Sequence, residues 1–325
     1  MMRHGWPLAC LGAVGASFAP AAHSAPFQVR NQHPLAAMYG LPAPLPARLP
    51  TAGTGSLGAT VSWTSFEVTD STGDFEYTLD GEVFEARLHT DRALGQRFAL
   101  HAELAWRSLD EGSLDSFIDD WHDAFNLPEG SRDLLPEDHL LLEYRVGDAA
   151  AWRLDEGTSG IADIPVALGY QLVATEKSAV ATWATVKLPT GSADDLTGSG
   201  AVDVALSLAA QTRPGAHWEL FGQANVAWLG EGDFMPELQQ DFAWSLLGGV
   251  TWNAWRGLDL TTQVEANSAV LDTGLSDLDG GAVVLTFGGS YVTTGGWRFD
   301  LGIVEDVESD AAPDVTFLLG LRRAF

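Results

Sequence analysis

Pro313-Asp-Val-Thr-Phe-Leu-Leu-Gly-Leu-Arg-Arg-Ala-Phe325 is the stretch whose reading decides the fold. Taken in steps of two, Val315, Phe317, Leu319 and Leu321 share one face, and Phe325 closes that series. Thr316, Leu318, Gly320 and Arg322 share the other. A period of two belongs to an extended strand with two unlike faces. A strand that finishes on an aromatic ring without a polar tail leaves a bare hydrogen-bonding edge, which recruits other chains. Pairing that edge with the first strand removes the hazard, so the expected seam is between the first strand and the last.

The same alternation recurs from residue 57 in segments of about ten residues, each ended by Gly, Asp, Pro or Ser. Such segments fall near 57–68, 75–91, 96–109, 138–147, 151–157, 163–175, 178–189, 201–212, 216–229, 241–253, 257–268, 281–293, 296–306 and 314–325. The fold class expected is all-β, a transmembrane barrel of about fourteen antiparallel strands, with twelve as the alternative because 151–157 is the weakest segment. An even number puts both ends of the barrel on one side. The links then sort by length, with short turns at 175–178, 212–215, 254–257 and 293–296 on that side. Longer acidic links at 189–200, 229–240, 269–280 and 306–313 fall on the other.

Composition agrees and excludes alternatives. A formal charge of -27 over 325 residues repels phosphate, which argues against nucleic acid as a partner. Mean hydropathy is close to zero, and no apolar run of roughly 18 residues follows residue 25, so no helical span is expected. A barrel hides its apolarity in alternation. The single cysteine, Cys10, permits no intrachain disulfide.

Three domains are expected. Residues 1–25 read as a signal peptide, with Arg3 and His4 before an apolar run and Ala22 to Ala25 as cleavage zone. Residues 26–56 form a Pro-rich periplasmic arm or plug; prolines at 42, 44, 46 and 50 forbid helix and paired strand alike. As a plug, Leu35, Met38, Tyr39 and Leu41 would pack inside. Residues 57–325 are the barrel, with a helical loop at 109–137.

Aromatic placement favours a membrane wall over a soluble sandwich. Trp218 and Trp228 end one strand, and at ~3.3 Å per residue and ~45° tilt they lie ~23 Å apart vertically, near the apolar band of a barrel. Trp252 and Trp297 would mark the same interface as Trp218, and Trp244 that of Trp228, completing two aromatic girdles. The opposite face carries charge. Glu85, Arg87, His101, Glu103, Glu143, Arg145, Glu219, Glu265, Arg298 and Asp300 are the expected pore-lining residues. They serve either as a salt-bridged filling that stiffens the interior or as a selectivity constriction in a water-filled pore.

Within 109–137 the period changes. Leu114, Phe117, Ile118, Trp121 and Phe125 make one stripe of an amphipathic helix, with acidic residues on the remaining surface. The readings are a cover packed over or within the mouth, a gate, or a helix in the outer leaflet needing bridging Ca²⁺ or Mg²⁺.

The segment Asn31-Gln-His-Pro-Leu-Ala-Ala-Met-Tyr39-Gly-Leu-Pro42 resembles the opening of a proteobacterial outer-membrane family known only as a domain of unknown function. Stretches 114–133, 187–200 and 305–321 are similar to that family as well, so the likeness spans nearly the whole mature chain. The last strand likewise resembles the C-terminal signal of Gram-negative outer-membrane barrels, read by the barrel assembly machinery; here Phe317, Leu319, Leu321 and Phe325 would carry it. These resemblances imply an outer-membrane location, with lipid and lipopolysaccharide as further partners. They imply no activity.

Motifs for chemistry are weak. Gly53-Thr-Gly55-Ser-Leu-Gly58 has the letters of a dinucleotide loop, but a strand follows it rather than a helix. His122 beside Asp119, Asp123 and Ser116 is the only hydrolase-like grouping. No catalytic residue and no metal site is expected, nor any cofactor beyond Ca²⁺ or Mg²⁺ held loosely at acidic loops. The function expected is a passive, porin-like uptake pore for small solutes with a loop lid. The alternatives are an outer-membrane lipid-directed hydrolase and a non-conducting structural barrel.

Overall fold

The computed structural model describes residues 26–114, 138–275, 281–308 and 312–325. Fifteen strands are present among them: β1 (Gly55–Thr72), β2 (Phe75–Ala93), β3 (Phe98–Asp110), β4 (Leu141–Val146), β5 (Ala149–Leu154), β6 (Thr158–Ile161), β7 (Ile164–Ala174), β8 (Ser178–Leu188), β9 (Asp203–Thr212), β10 (Trp218–Trp228), β11 (Phe242–Trp255), β12 (Leu258–Asn267), β13 (Ala282–Val292), β14 (Trp297–Glu308) and β15 (Val315–Ala324).

Twelve of these close a ring. Around it β1, β2 and β3 are followed by β7 through β15, each antiparallel to its neighbours, and β15 returns to β1. The seam runs from Ser56 opposite Ala324 to Ser65 opposite Val315. Beyond it, the Gly55 and Phe325 main chains exchange two hydrogen bonds of 2.9 Å. The terminal phenylalanine is therefore zipped into the wall by its backbone, as full closure of a barrel requires.

The wall has the smaller of the two strand numbers expected from sequence. Segments 138–147 and 151–157 are strands, β4 and β5, but they stand outside the ring. β1 and β2 run past the rim as one long hairpin, and the free edge of Phe75–Asp80 pairs with β4, which pairs with β5. β6 continues β7 along the far end of β3, opposite Trp106–Leu109. Alternation cannot separate a wall strand from one that prolongs a hairpin, because both have one apolar face.

The short turns lie at the rim that holds Gly55 and Phe325, here the near rim; the long links lie at the far rim. Along each wall strand exposed and buried residues alternate. Trp218, Trp228, Trp244, Trp252 and Trp297 are all exposed on the outer face. Trp218 stacks on Trp252 at the near rim, with ring centroids 6.2 Å apart. Leu319, Leu321 and Phe325 are exposed as well, and Arg92 sits over the Phe325 ring at 5.6 Å. Phe317 is only half-buried on the outside, where it packs with Ile303 beneath Leu114.

The interior is solid at the far end. Leu35, Met38, Tyr39 and Leu41 pack there with Phe66, Leu79, Leu142, Tyr144, Leu196, Leu229, Phe234 and Leu271 in one apolar cluster. The far links and the β4–β5 hairpin are thus folded over the mouth onto the tip of the arm.

Candidate functional site

The site is the lumen, and residues 26–50 fill it. The arm rises from the near rim along β12–β14, turns through a short 3-10 segment (Ala36–Met38), and descends along β10, β8 and β7. Its rising limb presents Phe27 to Gly288 and Gly302, which oppose each other across β13 and β14. A Cβ built on Gly288 would stand 2.9 Å from the Phe27 ring, so the small residues there make room for the aromatic. The Phe27 N–H donates to Gln263 Oε1 at 3.0 Å, and Asn31 Nδ2 to Asn267 Oδ1 at 3.2 Å. At the tip, Arg30 donates to the carbonyls of Ala37, Tyr39 and Leu41 and closes the turn on itself.

The descending limb is held by its main chain. Gln223 accepts from the Leu45 N–H at 2.6 Å and donates to the Ala43 carbonyl at 3.1 Å. Gln171 does the same two turns of alternation later, accepting from the Leu49 N–H at 2.7 Å and donating to the Ala47 carbonyl at 2.8 Å. Between them Trp183 Nε1 donates to the Pro46 carbonyl at 3.0 Å.

The wall not used by this limb is charged. Glu85 binds Arg87 at 2.9 Å and Arg107 at 2.8 Å; Arg87 meets Glu103 at 3.5 Å. Glu103 and Asp91 flank His101, each at 2.9 Å, and Arg322 meets Asp91 at 3.1 Å. The ladder therefore spans β2, β3 and β15 from near rim to tip, where Arg107 also donates to the carbonyls of Ala37 and Leu196. Being paired throughout, these charges are tolerated in a confined interior. Glu219 pairs with Arg213 at 2.9 Å, and Arg298 with Asp300 at 2.7 Å. Glu265 lies under the arm and accepts from the Asn31 backbone.

Two expected lining residues are elsewhere. Glu143 and Arg145 stand on β4, above the ring, and on its outer side. Leu142 and Tyr144 take the inward positions in the apolar cap, which turns the charged alternates away from it. Arg153 of β5 pairs with Glu143 there at 2.9 Å. Of the expected lid stripe, Leu114 is described and packs against Val315 on the outer wall. Phe117, Ile118, Trp121 and Phe125 lie outside the described residues, as do Ser116 and His122.

Sequence reading missed a second hub. Lys187, buried on β8, donates to Asp163, to Ser199 Oγ at 2.6 Å and to the Ala201 carbonyl at 3.0 Å, and lies 3.2 Å from Asp203. Asp163 also accepts from the Gly191 and Ser199 N–H groups, and Asp203 from Gly230. Gly40 passes so close that a Cβ would be 2.6 Å from the Asp203 side chain. The hub fastens two far links and the arm to one cation. Its signal in the sequence is a lone inward lysine in a chain whose other cations are arginines, apart from Lys177.

Among the described residues, open space lies beside the arm. A cavity of about 240 Å³ opens at the near mouth between Pro26, Leu45 to Arg48, Ser56, Gln223 and Arg322. A narrower one, about 30 Å³, lies deeper between Arg30, Gly40 to Ala43, Glu103, Asp163 and Lys187. Leu45 borders both.

Residues 5–325 match the family described as protein of unknown function (DUF3187). The fold is similar to that of the COG4313 outer membrane channel from Pseudomonas putida F1, with TM-score 0.59, 14% identity, and 86% of this chain and 97% of that chain covered. Weaker likeness extends to the NanC porin (TM-score 0.47, 9% identity, 82% and 98% covered). The toluene transporter TodX of Pseudomonas putida also aligns (0.43, 13%, 86% and 91%). No curated protein matches the sequence.

Proposed function

The chain belongs to the DUF3187 family, and on that premise we propose that it is a passive outer-membrane channel for small solutes, closed in this state by its own arm. The near rim faces the periplasm and the capped far rim faces outward. The observation that carries this reading is a closed ring whose interior is charged and hydrogen-bonded, with residues 26–50 and not wall side chains occupying the centre. Barrels of about eight strands fill their interior with wall side chains, and wider ones leave a lumen that is open or plugged by a separate segment. Here a separate segment occupies the lumen, held by hydrogen bonds from wall side chains.

Planar-bilayer recording tests the proposal. The intact chain is expected to show rare or small openings, and Gln171→Ala with Gln223→Ala larger and more frequent ones. Silence in both, from protein shown to be folded and inserted, would leave the non-conducting barrel as the better reading.

A further inference from the structure

On the descending limb each wall glutamine holds an N–H and a carbonyl of the arm together, whereas on the rising limb Gln263 accepts from the Phe27 N–H. Gln223 reads the N–H of Leu45 and the carbonyl of Ala43; Gln171 reads the N–H of Leu49 and the carbonyl of Ala47; Trp183 reads the carbonyl of Pro46. Both glutamines bind residues i and i−2, and their two registers are four residues apart. None of these bonds involves a side chain of the arm. Prolines at 42, 44, 46 and 50 fix the backbone and supply no N–H, so the limb cannot satisfy its own carbonyls. The wall beneath is flat and neutral: Leu45 and Leu49 pack on Ala99, Ala167, Ala181 and the Trp183 ring. Gly169 lets that ring lie on the wall, since a Cβ there would be 2.7 Å from it.

We infer that Gln171, Trp183 and Gln223 form a main-chain-reading site for an extended, proline-rich peptide, and that residues 43–49 occupy it as an exchangeable intramolecular ligand. An indole N–H on a proline carbonyl, over an apolar floor, is how surfaces that bind proline-rich segments recognise a backbone stiffened in advance. The site is reachable. The near-mouth cavity borders the limb from Leu45 to Arg48, and the limb's only charged side chain, Arg48, donates to the Thr175 carbonyl in a near-rim turn.

The test uses the full chain. Leu45→Pro with Leu49→Pro removes both N–H donors, leaves the barrel untouched and keeps the arm rich in proline. Maleimide labelling of a cysteine placed at Ala47 (Ala47→Cys, in parent and variant alike), in protein shown by heat-modifiable electrophoresis to be folded, should accelerate about tenfold or more, as expected for two buried main-chain bonds. A fluorescent peptide of residues 41–50 should then bind the variant saturably and the parent protein not at all. Adding Gln171→Ala and Gln223→Ala to the variant should abolish that binding, and the same peptide carrying proline at its two leucine donor positions should not bind. An arm that stays protected in the variant overturns the inference, as does a released arm with no binding of the peptide, or equal binding of the control peptide. None of these readouts needs ion flow, so a silent bilayer leaves the site standing and a failed peptide leaves the channel reading standing.

Discussion

Lys187 shows most clearly how one residue ties sequence to architecture. Its ammonium is buried, and a buried charge persists only where opposite charge and hydrogen bonds compensate its lost hydration. Asp163, Asp203, Ser199 and the Ala201 carbonyl do so. Asp163→Ala removes one of the two carboxylates and strands the Gly191 and Ser199 N–H groups. The expected loss is about 3 kcal/mol, less than for a pair with no second carboxylate; urea unfolding from lipid vesicles reads it. A loss below about 0.5 kcal/mol would mean that the links at 189–202 are held by something else. At the outer face, Trp218→Ala breaks the stack on Trp252 and removes an interfacial ring. About 1–2 kcal/mol should go in the same assay. A tryptophan that did not face the bilayer interface would lose the stacking share alone.

Among the elements, the last strand was the most legible and the arm the least. Alternation of Val315 to Leu321 with Thr316 to Arg322 dictates two faces, and the structure puts the first series outside, with Leu319, Leu321 and Phe325 exposed and Thr316 and Leu318 buried. Phe325→Ser should change the stability of refolded barrel by less than about 1 kcal/mol, since the ring is exposed and its Arg92 contact is a surface one. If the terminal ring is an assembly signal, the amount of folded protein in cell envelopes should nonetheless fall severalfold; unchanged amounts would count against that role. The arm was harder for a physical reason. Proline removes both periodicities on which sequence reading rests, and inward glutamines such as Gln171 and Gln223 look like any polar wall residue until the backbone they bind is in view. The β4–β5 hairpin misled for the opposite reason: it alternates well, but its apolar face serves the cap.

For the molecule as a whole, a paired charge ladder on β2, β3 and β15 stands in the same lumen as the amide side chains of β7 and β10 that hold the descending limb. Release of that limb would leave the ladder as the side of the passage available to ions. In the background of Leu45→Pro with Leu49→Pro, Glu85→Gln with Glu103→Gln removes two negative charges from it. The reversal potential under a salt gradient should then move toward anion preference. An unchanged potential would place the ion path away from the ladder.

Both ends of the arm lie at one mouth: Pro26, Arg48, Pro50 and Thr54 border the same cavity as Ser56 and Ala324. The insert is therefore a folded-back loop and not a thread running from one opening to the other. Such a loop can enter a finished cylinder and be drawn out again without any strand parting. The order of biogenesis need not be arm before wall, and a pull on the residues that precede Phe27 would peel the rising limb first.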